Sequence, residues 1–281
     1  MTTDDGDRQR SGGSDYGSVE GIGVELEGGL LRLTLDRAEK KNALSDAMIE
    51  GLIFVLQRAN NDDSVRAVLL RAEGKDFCVG ADIVARNRET SVRRRAGSIQ
   101  RRLPGAAHRL IPLITEVQVP IVAAVQGHAA GIGLHLSLAC DFTIVADDAV
   151  LWEPFVARGF TPDSGATWLL PRLVGVARAR EILMLGRRLD GRTAAAWGMV
   201  HRSVPSDQLE IEAARLAAEL AAGPTVTLGL TKWLVNTGLS KGLEESLAAE
   251  GFAMEVSSRS LDFKEGMQAF AERRPPDFGG M

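Results

Sequence analysis

Cysteine, histidine clusters and long apolar runs are all scarce in this chain, and each scarcity removes a class of protein. Only Cys78 and Cys140 occur in 281 residues, too few for a disulfide framework, and neither stands in a C-x-x-C pair. Both are expected to be reduced thiols. His108, His128, His135 and His201 are scattered without an H-x-x-x-H or Cys/His grouping, so no metal site is expected. No stretch approaches eighteen consecutive apolar residues, and the N-terminus is polar and acidic. Neither a membrane span nor a signal peptide is therefore expected. The net charge of −4 disfavours nucleic acid as a partner, and a cytoplasmic location is expected.

What remains is ample apolar material: 45% of the residues are hydrophobic, enough to bury a sizeable core. Residues 1–18 have the composition of a disordered tail. Val24 and Leu26, the Gly28-Gly29 turn, and alternating Leu31, Leu33 and Leu35 spell a hairpin. Ser45 is placed to cap a helix running to about Arg58, with Met48, Leu52 and Val55 on one stripe. Ala67-Val68-Leu69-Leu70, Ile121-Val122-Ala123-Ala124, Phe142-Thr143-Ile144-Val145-Ala146 and Val150-Leu151-Trp152 are short β-branched or apolar runs that predict strands. Helices are expected over 164–173 and 176–186, and helical spacing continues to about Ala271. A hairpin, repeated strand-then-helix units and a helical end imply an α/β fold with a mainly parallel core.

Two glycine-rich turns carry the candidate chemistry. The first runs from Val125-Gln126-Gly127-His128 through Gly131-Ile132-Gly133 to His135 and Leu136. It reads as strand, tight loop and buried helix, whose first N–H groups can face an anion or a developing oxyanion. Gly131 and Gly133 are expected to admit another molecule close to the backbone; a turn that needs glycine only for packing is the alternative. No third glycine completes a dinucleotide fingerprint, and neither a P-loop nor a G-x-S-x-G elbow occurs. The second turn is Gly74 through Phe77-Cys78-Val79-Gly80-Ala81-Asp82-Ile83. Two such turns in one parallel sheet can converge on a single carbonyl oxygen, which makes an oxyanion hole built of backbone alone. Arginines crowd the segment from Arg86 to Arg109, either a solvated helical face or a surface that pairs with phosphates.

In order and spacing, Asp36-Arg37, Lys41-Asn42-Ala43-Leu44, the Phe77–Ile83 turn, Gly127 through Asp141, Gly159-Phe160-Thr161-Pro162, Leu170-Pro171-Arg172-Leu173-Val174-Gly175 and Glu265-Gly266-Met267 through Pro275 resemble the crotonase, or enoyl-CoA hydratase/isomerase, superfamily. The resemblance covers most of the chain after the tail. It implies a crotonase-like spiral of β-β-α units over 19–205, binding an acyl-CoA thioester, and a helical C-terminal trimerisation region over 206–281. It further implies a homo-trimer or hexamer, no membrane, and no cofactor apart from coenzyme A as part of the substrate. Carried over, the oxyanion donors are the N–H groups of Ala81 and Ile132. Lys40, Lys41, Ala43, Ala81, Asp82 and Ile83 line the CoA channel, and the arginine-rich segment lies near its mouth.

The family's hydratases use two glutamates, and His135 and Phe155 occupy those positions here. Classical hydration is thereby in doubt, because phenylalanine exchanges no protons. Asp163, in Pro162-Asp163-Ser164-Gly165, lies where family isomerases such as the 1,2-epoxyphenylacetyl-CoA enzymes carry an acid. It is the leading catalytic candidate, with helix capping as its ordinary alternative. His135 either hydrogen-bonds the substrate or tunes Asp163, or is a bonded, partly buried histidine. Trp152, Phe155, Phe160 and Trp168 would wall the acyl pocket. The expected activity is an isomerase with Asp163 as acid and base. A hydratase using Glu153 and a non-catalytic acyl-CoA binder are the alternatives.

Overall fold

The computed structural model describes residues 16–17, 19–82, 97–105 and 107–281. The hairpin forms as expected. β1 (Ile22–Glu27) and β2 (Leu30–Leu35) pair antiparallel with Glu27 opposite Leu30, joined by Gly28 and Gly29, both at positive φ. That conformation suits a two-residue turn whose twist matches the strands. Parallel strands follow: β3 (Ala67–Ala72), β4 (Ile121–Val125) and, after the short β5 (His128–Ala130), β6 (Phe142–Ala146). β7 (Val150–Trp152), β8 (Arg188–Asp190) and β9 (Arg202–Val204) complete the strands among the described residues.

These strands form two sheets, β1-β2-β3-β4-β6-β9 and β5-β7-β8. β4 steps into β5 through Gln126-Gly127, and β6 steps into β7 through 147–149. These two turns of the chain each add one strand to each sheet, which is the spiral of β-β-α units. All five residues of β4 are buried, as expected for a parallel strand covered on both faces.

Among the described residues the α-helices are α1 (Asp46–Ala59), α2 (Ser98–Arg102), α3 (Ala107–Glu116), α4 (Ile132–Leu138), α5 (Ala166–Leu185), α6 (Gly191–Ala196), α7 (Leu209–Ala221), α8 (Thr225–Gly238), α9 (Leu243–Ser257) and α10 (Leu261–Glu272). Ser45 caps α1, accepting the Met48 N–H at 3.1 Å. Leu33, Val68, Leu70 and Ile121 meet Leu52 and Leu56 of α1, Ile114 of α3 and Leu136 of α4. α7 packs against β3, β4 and β6. Gly175, at φ 75 and ψ 164, breaks α5 into two helical pieces, where the sequence places the gap between 173 and 176.

One expectation is corrected. The chain beyond 186 is not helical throughout, because β8 and β9 pair with β7 and β6. Each has three residues and little apolar alternation, so the neighbouring strand, not local pattern, makes it a strand. The proposed tail of residues 1–18 lies outside the described residues except for Tyr16 and Gly17. Tyr16 is buried and its hydroxyl donates to Asp62 Oδ2 at 2.9 Å.

Candidate active site

Two chain reversals meet at the start of the second sheet. Cys78 pairs in parallel with Ala129: the Cys78 N–H donates to His128 O at 3.0 Å, and the Ala130 N–H to Cys78 O at 2.9 Å. Neighbouring strands lie about 4.8 Å apart, so Ala81 and Ile132, each three residues beyond its paired residue, leave the bridge side by side. Among the described residues, the pairing around them engages neither N–H group. The Leu44 N–H donates to Gly80 O at 2.8 Å and the Asp82 N–H to Leu44 O at 2.9 Å, and in a parallel bridge this turns the Ala81 N–H to the opposite side. Ile132 opens α4, where N–H groups have no intrahelical acceptor, and its cap residue Gly131 supplies no side-chain bond.

Glycine brings the turns this close. A Cβ on Gly133 would overlap Cys78 O and lie 2.6 Å from Cys78 Sγ, and one on Gly80 would lie 3.0 Å from Ala130 O. Gly133 therefore admits the chain's own Cys78 turn rather than an outside molecule, which corrects the sequence expectation for that residue. Burial pushes the Cys78 thiol up to about 12, so it stays an uncharged packing group.

Asp163 lies on the turn that leads into α5. The N-cap of α5 is Gly165 with no side-chain bond, and the Asp163 carboxylate instead accepts the Ser164 hydroxyl at 3.0 Å. Asp163 is not the cap. Ser164 and Gly165 are both left-handed, at φ 50 and φ 89; for a serine this costs of order 1 kcal/mol, strain that persists where surroundings over-determine it.

Beneath this turn, His135 and Glu153 form a closed pair. His135 Nε2 and Glu153 Oε1 are 2.9 Å apart, with side chains 0% and 1% exposed. The His135 ring stacks on Phe155, centroids 6.0 Å apart and planes 9° apart, and Phe155 meets Phe160 edge-on at 5.4 Å. Burial pushes the Glu153 carboxyl above its usual range; His135 opposes the rise and the charge of Asp163 adds to it. Asp163 therefore stands within electrostatic reach of the pair. Trp152 and Trp168 are engaged elsewhere, Trp152 donating to Gly186 O at 3.1 Å and Trp168 lying under Arg172.

A sequence profile of the family described as enoyl-CoA hydratase/isomerase matches residues 25–281. The chain belongs to that family. Among its relatives, a 1,2-epoxyphenylacetyl-CoA isomerase of Escherichia coli is 35% identical over 93% of this chain and 99% of its own length. A crotonyl-CoA hydratase of Syntrophomonas wolfei is 30% identical over 93% and 98%. The crystal structure of an enoyl-CoA hydratase from Bacillus anthracis superposes with a TM-score of 0.86 at 32% identity, covering 93% of this chain and all of that one.

In this hydratase/isomerase-family chain, the residues expected along the CoA channel divide. Lys40 and Lys41 are exposed, Lys41 Nζ lying 3.6 Å from Asp76 Oδ2. Ala43 is buried, and its carbonyl accepts Arg37 Nη1 at 3.1 Å. The same nitrogen donates to Asp82 Oδ2 at 2.8 Å. Arg37 thus ties the 41–44 segment to the Ala81 turn, a bracket that sequence reasoning missed. The sequence assigns no role to Asn42. Fully buried at φ 53, it accepts the Arg37 N–H at 2.8 Å and donates to Glu73 O and Asp76 O at 2.9 and 2.8 Å. Ile83 and Arg86 through Arg95 lie outside the described residues. Arg109 pairs with Glu116 at 2.8 Å.

Proposed function

We propose that this chain is an acyl-CoA isomerase in which the Ala81 and Ile132 N–H groups stabilise a thioester enolate and Asp163 moves the proton. The observation that carries this reading is the free duty of Asp163. Its carboxylate caps no helix, and a strained turn holds it within electrostatic reach of the His135–Glu153 pair. Each oxyanion donor contributes about 2.7–4 kcal/mol when charge develops on the thioester oxygen. Asp163 then takes a proton from one carbon and returns it to another, a step typically worth about 10²–10⁴-fold. Glu153, the acid of the hydratase alternative, is enclosed and bonded to His135, which does not suit activation of a free water. The isomerase relative agrees in kind with this reading.

Purified protein assayed with 3-enoyl-, 2-enoyl- and 1,2-epoxyphenylacetyl-CoA thioesters tests the proposal. Isomerisation lost in Asp163→Asn supports it. Water addition to crotonyl-CoA that disappears in Glu153→Gln would favour the hydratase, and thioester binding with no turnover of any substrate would favour a binder.

The substrate reading includes a homo-oligomer. α8 to α10 and their connections expose Val235, Leu239, Leu243, Phe252, Met267 and Phe270, the last 82% exposed, large apolar side chains that a second copy would cover. Light scattering should return a mass several times 30.1 kDa; a monomer would refute this part.

A further inference from the structure

We infer that Glu153 is held as a neutral acid, donating its proton to His135 Nε2, so that Asp163 is the single negative charge of the site. This deepens the proposed function, since the role of Asp163 rests on that reading. Among the described residues, His135 Nδ1 and Glu153 Oε2 are buried and have no hydrogen-bond partner. An ionised pair would leave an anionic oxygen and a cationic N–H both unsatisfied in a closed space, the most costly arrangement available. The neutral pair leaves the same two atoms uncharged. The hydroxyl of Glu153 donates along the 2.9 Å contact, and His135 carries its own proton on Nδ1.

The surroundings favour the same state. Among the described residues, His135 on α4 and Asp163 on the turn before α5 are the titratable groups that act on the Glu153 carboxyl. Arg188 of β8 lies over the Trp152 ring instead, 4.5 Å from its centroid, and Arg158, on the short turn after Phe155, is exposed. Among the described residues, no cation other than His135 therefore compensates a second carboxylate within electrostatic reach of Asp163, and interacting like charges do not both ionise readily.

The consequence is a division between three adjacent groups. Glu153 acts through His135 as a positioning residue. It keeps the stacked His135–Phe155 wall uncharged, leaves Asp163 as the base, and is itself unable to draw a proton from water. The exclusion of hydration thus rests on a charge state as well as on the replacement of a glutamate by Phe155.

Infrared spectroscopy of the full chain, labelled with ¹³C-glutamate, reads this directly and needs no turnover. The expected result at neutral pH is an isotope-shifted stretch of a protonated carboxyl, absent from Glu153→Gln and titrating away at a lower pH in Asp163→Asn, where the neighbouring charge is gone. Absence of a protonated glutamate band in the folded protein would overturn the inference, as would an unchanged titration in Asp163→Asn. Isotope labelling keeps the test decisive if Glu153→Gln fails to fold. If the band behaves as expected while Asp163→Asn still isomerises substrate, the proton assignment stands and the proposed function fails.

Discussion

Replacing Gly133 by alanine tests what holds together the Ala81 and Ile132 N–H groups, the proposed oxyanion donors. In an ordinary helix this change stabilises by about 1 kcal/mol, because glycine has the poorer helix propensity. At Gly133 the new methyl would overlap Cys78 O and lie 2.7 Å from Cys78 Cβ, against an optimal carbon–carbon separation of about 3.5–4.0 Å. One turn must yield by roughly 0.8 Å, and the contact is with backbone, so the movement carries the Gly80-Ala81 peptide away from Ile132. Overpacking of this kind costs about 1–3 kcal/mol, which leaves a net stability loss of about 0–2 kcal/mol and a folded protein. The effect on chemistry is larger, since a misplacement near 1 Å costs about 10²-fold and loss of one oxyanion donor about 10²–10³-fold. The assay is incorporation of solvent deuterium alpha to the thioester of a saturated acyl-CoA, followed by mass spectrometry, which reports enolate formation alone. Gly251→Ala in α9 is the control: a Cβ there meets nothing within 4 Å, so stability should rise by about 1 kcal/mol with exchange unchanged. A folded Gly133→Ala protein exchanging at the wild-type rate would refute the claim that the Cys78–Ala129 register sets the donors.

Three further outcomes follow from the same contacts. Asp163→Asn should lower isomerisation by about 10²–10⁴-fold yet change urea stability by less than about 0.5 kcal/mol, because α5 takes no bond from its side chain; a loss near the 1 kcal/mol typical of a cap would restore the capping role. Asn42→Ala should cost about 3 kcal/mol or more in chemical denaturation, since it orphans the Arg37 N–H and the carbonyls of Glu73 and Asp76 and puts alanine at positive φ. Burial pushes the Asp76 carboxyl up, but hydrogen bonds from the His128 ring and N–H, with Lys41 nearby, outweigh it and hold the group below its usual 3.8. Its stabilisation is complete above pH 3.8 and fades as pH falls through the lowered folded value. The stability gap between wild type and Asp76→Asn should therefore be present at pH 7 and narrow only in strong acid; a gap constant over that range would contradict the assignment.

Much of the fold is legible locally because short-range physics decides it. The Gly28-Gly29 turn, the Ser45 cap and the uninterrupted apolar run of β4 each carry their own signal, and Gly175 announces the break in α5. β8 and β9 carry none, since three-residue strands take their identity from a partner distant in sequence. The site divides the same way. The two turns and the residues at the missing glutamate positions can be read from the chain. That Gly133 serves Cys78, that Arg37 binds both Ala43 and Asp82, and that Ser164 rather than α5 engages Asp163 cannot, because each is a contact between segments separated in space or a backbone angle set by packing.

The sequence by itself determines the α/β spiral, the paired glycine turns and the family to which the chain belongs, since pattern, spacing and turn chemistry are local or periodic properties. Only the tertiary structure decides that Ala81 and Ile132 emerge side by side from one parallel bridge, and that His135 faces Glu153 inside a closed wall. Register and burial are properties of the assembled chain, and they decide which side chains and backbone groups meet.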